Sequence, residues 1–119
     1  MGTIPDFDDT ELWVVRNAVN ERYGKTVDVQ MADAELRLER DSPVLTTCPT
    51  LFWSERGAQF AVTKIGESRF RCQFFYSIRE QYGTGREVYD NLAECVTVLL
   101  QVQADHERDR ALKPQDPSK

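Results

Sequence analysis

The sequence predicts an α+β fold: a two-layer sandwich of an N-terminal helix, an antiparallel meander of about four strands and a C-terminal helix, with both helices on one sheet face. Three observations predict it. Apolar residues recur at helical spacing near both ends of the chain, they alternate with polar residues in the middle, and 119 residues suit one domain. Because 40% of the residues are hydrophobic, we expect a packed core of ordinary size.

The first helix is predicted over residues 10–23. Asp8 and Glu11 have the spacing of a capping box, in which each residue's side chain bonds the other's main chain. Gly24 suits the left-handed conformation that commonly closes a helix. The apolar stripe of this helix comprises Leu12, Val15, Val19 and Tyr23.

The first strand is predicted to follow, because the apolar period changes there to two. Val27, Val29 and Met31 alternate with polar residues, and then the phase shifts by one residue at Ala32. A shift of one residue turns later side chains to the other face of a sheet. We therefore expect a bulged or broken first strand, with a bulge or a turn at residues 31–33.

Three further strands are predicted before the second helix. They cover residues 44–53 with a strand edge or an interruption at Pro49, residues 58–65 and residues 69–79, with turns at 55–57 and 66–68. In the last strand, Phe70, Cys72, Phe74, Tyr76 and Ile78 alternate with Arg69, Arg71, Gln73, Phe75, Ser77 and Arg79. This alternation indicates an antiparallel sheet with one buried face and one wetter face.

The second helix is predicted directly after Gly83–Arg86. Its apolar stripe comprises Val88, Leu92, Cys95, Leu99 and Val102. Beyond it the chain becomes charged and contains two prolines. We expect a flexible N-terminal segment over residues 1–9, a single α+β domain over 10–111 and a disordered C-terminal tail over 112–119.

Residue types that carry catalysis or bind metals are scarce. The one histidine, His106, lies near the end of the second helix, where interaction with the helix dipole explains it. Cys48, Cys72 and Cys95 lack the close spacing of metal knuckles and redox pairs. We expect Cys72 and Cys95 in the core and Cys48 as the most exposed thiol. We predict no enzymatic activity, no cofactor and no metal site.

The charge is unevenly distributed. The chain has a net charge of −5, yet residues 55–86 hold 6 basic and 3 acidic side chains, a net of +3. The predicted interaction surface comprises Arg69, Arg71, Phe75 and Arg79 on one strand face, together with Trp53 and Trp13. Trp13 has two interpretations, as the edge of the core or as an anchor for a partner.

The arginine and aromatic residues of this surface favour a non-enzymatic protein-interaction or accessory module. Such a module acts through an exposed sheet face, with a protein partner or as a homodimer. The alternative is that the face of Arg69, Arg71 and Arg79 binds nucleic acid or a small anionic ligand. A weaker alternative is an acidic chaperone or inhibitor-type protein. Gly83, Gly85 and Arg86 form a weak candidate anion site, since main-chain amides that open a helix can hold phosphate.

The predicted location is the cytoplasm, with no membrane contact. No window approaches the roughly 18 consecutive apolar residues that a membrane-spanning helix needs. Residues 1–9 also lack the basic and then apolar pattern of a signal peptide.

Overall fold

The computed structural model describes residues 4–38, 41–77 and 79–112 of the chain. Helix α1 (Asp9–Tyr23) is followed by strands β1 (Gln30–Leu36), β2 (Thr46–Glu55), β3 (Ala58–Gly66), β4 (Arg69–Ser77) and β5 (Glu80–Tyr82), and then by helix α2 (Leu92–Leu112). The strands form one antiparallel sheet in the order β1-β2-β3-β4-β5. The predicted α+β fold is confirmed. The additional strand, β5, is too short to give a recognisable period of two.

Helix α1 begins and ends where its local signals predict. The Asp8 Oδ1 accepts a hydrogen bond from the main-chain N of Glu11 at 2.7 Å, and the Glu11 Oε1 accepts one from the main-chain N of Asp8 at 2.9 Å. Gly24 closes the helix with φ of 66°, in the left-handed region that glycine adopts without strain. The predicted bounds are correct to within one residue.

The core lies between the helices and one face of the sheet. It includes Val15 and Val19 of α1, Leu51 and Trp53 of β2, Phe60 and Val62 of β3, Phe74 of β4, and Val96 and Leu99 of α2. Trp53 stacks on Phe60 with ring centroids 5.2 Å apart. Phe7, predicted to be in a flexible segment, is also buried in this core, where its ring stacks on Phe70. Residues 113–119 of the predicted tail lie outside the described residues.

Strand β1 is regular, so the predicted bulge or break is wrong. Its register with β2 runs without a shift from Gln30 opposite Phe52 to Leu36 opposite Thr46. The alternation of apolar and polar residues shifts by one because the two halves of this segment are buried in different places. Val27 and Val29 precede the strand and lie in the core, whereas Leu36 is half-buried on the other sheet face.

Strand β2 is also continuous, so of the two alternatives predicted at Pro49 the interruption is wrong, whereas the strand edge fits its pairing with β1 alone. Proline has no N–H to donate to a neighbouring strand. Pro49 is paired with Asp33 of β1, and the pairing of β2 with β3 begins only at Thr50. Proline is therefore tolerated at position 49, because at this point β2 has a pairing partner on one side only.

Helix α2 begins later than predicted. Its first residue is Leu92, and the side chain of Asn91 caps it by accepting from the main-chain N of Glu94 at 2.9 Å. Tyr89, which the sequence placed inside the helix, instead exchanges two main-chain hydrogen bonds with Phe70, each of 2.8 Å. Residues 83–88 are consequently a loop along the edge of β4.

Candidate binding site on the open sheet face

The open sheet face is the face turned away from the two helices. The strand register places on it Ala32, Ala34 and Leu36 of β1, Cys48, Thr50 and Phe52 of β2, Gln59, Ala61 and Thr63 of β3, and Arg69, Arg71, Gln73 and Phe75 of β4. None of these residues is acidic. Within the described parts of β1–β4, the open sheet face is therefore locally basic on a chain whose net charge is −5.

A row of four paired residues crosses the centre of this face: Ala32, Thr50, Thr63 and Arg71. The Thr50 Oγ1 donates to the Cys48 carbonyl at 3.3 Å and lies 3.2 Å from the Thr63 Oγ1. A hydroxyl has one proton, so Thr63 is the donor in the second bond. The buried Thr63 oxygen thereby keeps its acceptor capacity beside Arg71.

Arg71 is the half-buried cation of this row. Its Nε is buried and has no hydrogen-bond partner among the described residues. Within the same residues, no acidic side chain lies within ion-pair distance of Arg71. Burial raises the pKa of the Cys48 thiol, and the charge of Arg71 offsets part of that rise. Arg71 thus brings an uncompensated positive charge to the centre of the open sheet face.

Cys48 is not the exposed thiol that the sequence predicted. It is 0% exposed, in β2 on the open sheet face, where it is paired with Ala34 of β1. The prediction for the other two cysteines is closer to the structure: Cys95 is buried in the core, and the half-buried Cys72 packs against it. The Cys72 Sγ donates to the Cys95 carbonyl oxygen at 3.8 Å.

A cavity of about 500 Å³ lies between the open sheet face and the loop after β5. Tyr82 pairs with Phe74 and Tyr89 pairs with Phe70 on the same edge of β4. Three residues separate the two partners on β4, whereas six residues connect the tyrosines, so the surplus chain must loop out. The cavity is lined by Leu36, Ala61, Thr63, Arg71, Cys72, Gln73, Gly83, Thr84, Gly85, Arg86 and Glu87.

The loop that covers this cavity is fastened by its own side chains. The Arg86 Nε donates to the Val88 carbonyl at 3.0 Å, and its guanidinium carbon lies 4.7 Å from the centre of the Tyr89 ring. The Nη1 atom of Arg86 also lies 3.5 Å from the Glu94 Oε1. The Thr84 hydroxyl is hydrogen-bonded to the Tyr89 hydroxyl. Arg86 therefore mainly holds the loop in place, and the carboxylate of Glu94 balances much of its charge.

The structure brings together two groups that the sequence treated separately. Arg71, from the predicted interaction surface, and Gly83, Gly85 and Arg86, from the predicted anion site, line the same cavity. The reason given for the anion site is wrong, because residues 83–86 do not open a helix. The further lining residues Leu36, Ala61, Thr63 and Gln73 were missed, since only the strand register places them beside Arg71.

The other predicted surface residues are dispersed. Arg69 and Phe75 lie on the open sheet face, whereas Arg79 is exposed in the turn after β4. Trp53 is 1% exposed and belongs to the core, so its assignment to the interaction surface is wrong. Trp13 is 64% exposed on α1, and it is not the core edge that one interpretation expected. Because α1 lies on the other side of the sheet, Trp13 and Phe75 cannot form one continuous surface.

His106, in the last turns of α2, lies in an aromatic cluster with side chains of β4 and β5. The Tyr76 hydroxyl is 3.3 Å from the His106 Nδ1, and the Tyr82 and His106 rings are 4.3 Å apart. The described residues contain no group of three or more His, Cys, Asp or Glu side chains that could hold a metal ion. Among the same residues, no helix has the length and apolar character to span a membrane.

No protein-family model, curated protein or solved structure matches this chain. The features of this chain that bear on function are therefore the open sheet face, its charges and its cavity.

Proposed function

We propose that this chain is a non-enzymatic protein-interaction module that binds an acidic protein partner through the open sheet face. One observation carries the proposal: neither helix covers this face, and its described β1–β4 residues include Arg69 and Arg71 but no carboxylate. A basic face on an acidic chain favours a partner that presents Asp or Glu.

Aromatic side chains supply the apolar part of this surface. Phe52 and Phe75 are half-buried on the open sheet face, opposite Ala61 and Gln59 of β3. Phe75 and Arg71 lie four residues apart on β4, which corresponds to about 13 Å along a strand. Aromatic residues and arginine are enriched in protein interfaces, and a folded partner easily covers this distance.

The β1 edge of the sheet is less suited to association between copies of this chain. β1 pairs with β2 on one side, and its exposed residues include Asp33 and Glu35. Antiparallel self-pairing centred near Asp33 would bring carboxylates of the two copies opposite each other, which is destabilising. We therefore place the interface on the open sheet face.

Site-specific photocrosslinking tests the proposal. A photoreactive phenylalanine analogue replaces Phe75 in one variant and the exposed Trp13 of α1 in the control. We expect a discrete adduct from position 75 alone, weakened by Arg69→Gln and by high salt. Mass spectrometry separates the outcomes, because an adduct of twice the chain's mass identifies a homodimer. Equal labelling from both positions, or no adduct from position 75, would overturn the proposal.

A further inference from the structure

We propose that the cavity between the open sheet face and residues 83–87 binds a small amphipathic oxyanion, meaning an organic carboxylate or phosphate attached to an apolar body. This inference shares Arg71 with the proposed protein-binding face, but it rests on the cavity, which that proposal does not use. Arg69 and Phe75 do not line the cavity.

The dimensions of the cavity suit a small molecule. Its volume of about 500 Å³ falls within the range of pockets that hold cofactors and other small ligands. Leu36 and Ala61 form an apolar part of the wall, and Thr63 and Gln73 add polar groups. Such a combination favours a ligand with an apolar body and few polar atoms over a fully hydrated ion.

Arg71 selects the charged group of the ligand. A guanidinium stays protonated at every relevant pH and presents parallel donors that match a carboxylate or phosphate. The Nε of Arg71 is buried and unpaired among the described residues, and a buried donor without an acceptor is unfavourable. An oxyanion at this position satisfies the donor and neutralises the charge. The adjacent Thr63 hydroxyl is committed to Thr50, so Arg71 is the principal anchor.

The loop limits how much negative charge the ligand can carry. Arg86 is engaged by Val88 and Glu94, and the exposed Glu87 adds a carboxylate to the cavity wall. A polyanion would be repelled there, whereas a ligand with one anionic end directed at Arg71 avoids Glu87. We therefore assign a single oxyanion group rather than a polyphosphate or a nucleic acid backbone.

The loop backbone contributes a further feature. Gly85 has φ of 88°, a conformation strained for other residues, and a Cβ added there would meet no atom within 4 Å. The described main-chain hydrogen bonds include none donated by residues 83–87. Amides in this loop are thus available to the ligand or to solvent.

A pair of fluorescent probes tests the inference. 8-Anilinonaphthalene-1-sulfonate has an aromatic body and one oxyanion, and N-phenyl-1-naphthylamine has the same body without the charge. We expect the sulfonate to bind the wild-type chain with enhanced fluorescence. Arg71→Met should weaken sulfonate binding by about tenfold or more, as expected for hydrogen bonds to a charged group, and leave the neutral probe nearly unaffected. The matched control is Arg69→Gln, on the same strand and face but outside the cavity, which should change neither affinity.

Competition identifies the source of the oxyanion. Dodecanoate and dodecyl phosphate, which share the same apolar body, are added separately to the sulfonate complex, with inorganic phosphate as a third arm. Displacement by dodecanoate alone assigns a carboxylate ligand, and displacement by dodecyl phosphate alone assigns a phosphate ester. Displacement by inorganic phosphate at equal efficiency would overturn the amphipathic assignment, because the apolar body would then contribute nothing.

A second variant keeps the inference testable if Arg71→Met fails to fold. Ala61→Phe adds a large side chain to the cavity wall and is expected to reduce the binding of both probes. The near-ultraviolet circular dichroism of each variant reports whether it is folded. Equal loss of sulfonate binding in the Arg71 and Arg69 variants, or no loss in Ala61→Phe, would overturn the cavity site. Crosslinking from position 75 would persist in that case, so failure of the two proposals is distinguishable.

Discussion

Lys64 Nζ lies 2.9 Å from Glu11 Oε1, and this ion pair joins the core side of β3 to the first turn of α1. Lys64 is 5% exposed and also donates to the Asp6 carbonyl at 3.2 Å. The same Glu11 oxygen accepts from the main-chain N of Asp8 as part of the helix cap. One carboxylate therefore both starts the helix and pairs with a buried ammonium group.

Glu11→Ala is expected to lower the free energy of unfolding by about 2 to 4 kcal/mol, because it removes the cap and leaves a buried ammonium unpaired. Lys64→Met removes the need for a counterion, so the double variant should recover part of that loss. Urea unfolding measures all three variants, with Asp9→Ala in the same helical turn as the control. Additive losses in the double variant would show that the two side chains are not coupled.

The two faces of β4 predict losses of stability of different size for adjacent phenylalanines. Phe74 is buried in the core and Phe75 is half-buried on the open sheet face. Phe74→Ala should lower the free energy of unfolding by about 3 to 5 kcal/mol, and Phe75→Ala should lower it much less. Urea unfolding with matched protein concentrations tests the pair. A large loss in both would mean that a second layer covers the open sheet face in solution.

Tyr23 predicts a loss of stability in alkali. Burial raises the pKa of Tyr23 to about 12, and its hydroxyl has no hydrogen-bond partner among the described residues. The phenol ionises near pH 10 in the unfolded chain, so the folded state holds its proton longer. The associated stability is fully present below pH 10 and is lost as the pH rises from about 10 to 12.

Tyr23→Phe should be neutral or slightly stabilising at neutral pH, since it removes a buried hydroxyl that has no partner. The variant should also lose less stability than the wild type above pH 10, where thermal unfolding is compared across pH. Tyrosinate absorbance gives an independent measure, because the titration step near pH 12 that belongs to Tyr23 should be absent from the variant. Identical alkaline profiles for the two proteins would refute the assignment.

The ion pair between Glu107 and Arg56 predicts a smaller loss of stability in acid. The Arg56 Nε donates to the Glu107 Oε2 at 2.6 Å, and this hydrogen bond holds the pKa of Glu107 below its usual value. The stabilisation is present above the pKa of the unfolded carboxyl and is lost as the pH falls through the lowered folded value. Because the pair is partly exposed, we expect less than about 1 kcal/mol.

Glu107→Gln should therefore reduce the acid dependence of the unfolding free energy, whereas Glu21→Gln on the exposed side of α1 should not. Both variants are compared with the wild type by urea unfolding at neutral and acidic pH. If the two variants change the acid profile equally, the Arg56 contact has no special role.

Features that depend on residues close together along the chain were predictable from the sequence. Asp8 and Glu11 are three residues apart, and the alternation through Phe74 is continuous, so α1 and β4 follow from local patterns. The position of Trp53 was not predictable in this way, because its face depends on whether β2 continues through Pro49. That continuity is decided by pairing with β1, which the local sequence does not show.

The cavity was unpredictable for a related reason. Its walls come from β1, β3, β4 and the loop after β5, and only the pairing of Tyr89 with Phe70 makes that loop protrude. The sequence indicated glycines near a helix start, and it correctly placed Arg69 and Arg71 on β4, but Arg79 lies in the turn that follows. It contained no local signal that would join these groups across the sheet.

The loop of residues 83–88 is held on β4 by a tyrosine at each end, so its length does not depend on the rest of the fold. Tyr82 and Tyr89 are each held on β4, and the core side of the sheet is packed without any contribution from Gly83 or Gly85. Residues inserted between the two anchors would enlarge the chamber, and deletions would shrink it, with no change of strand register. Changes in the length of this loop thus alter the size of the ligand that the cavity accepts, while the residues that determine the fold stay the same.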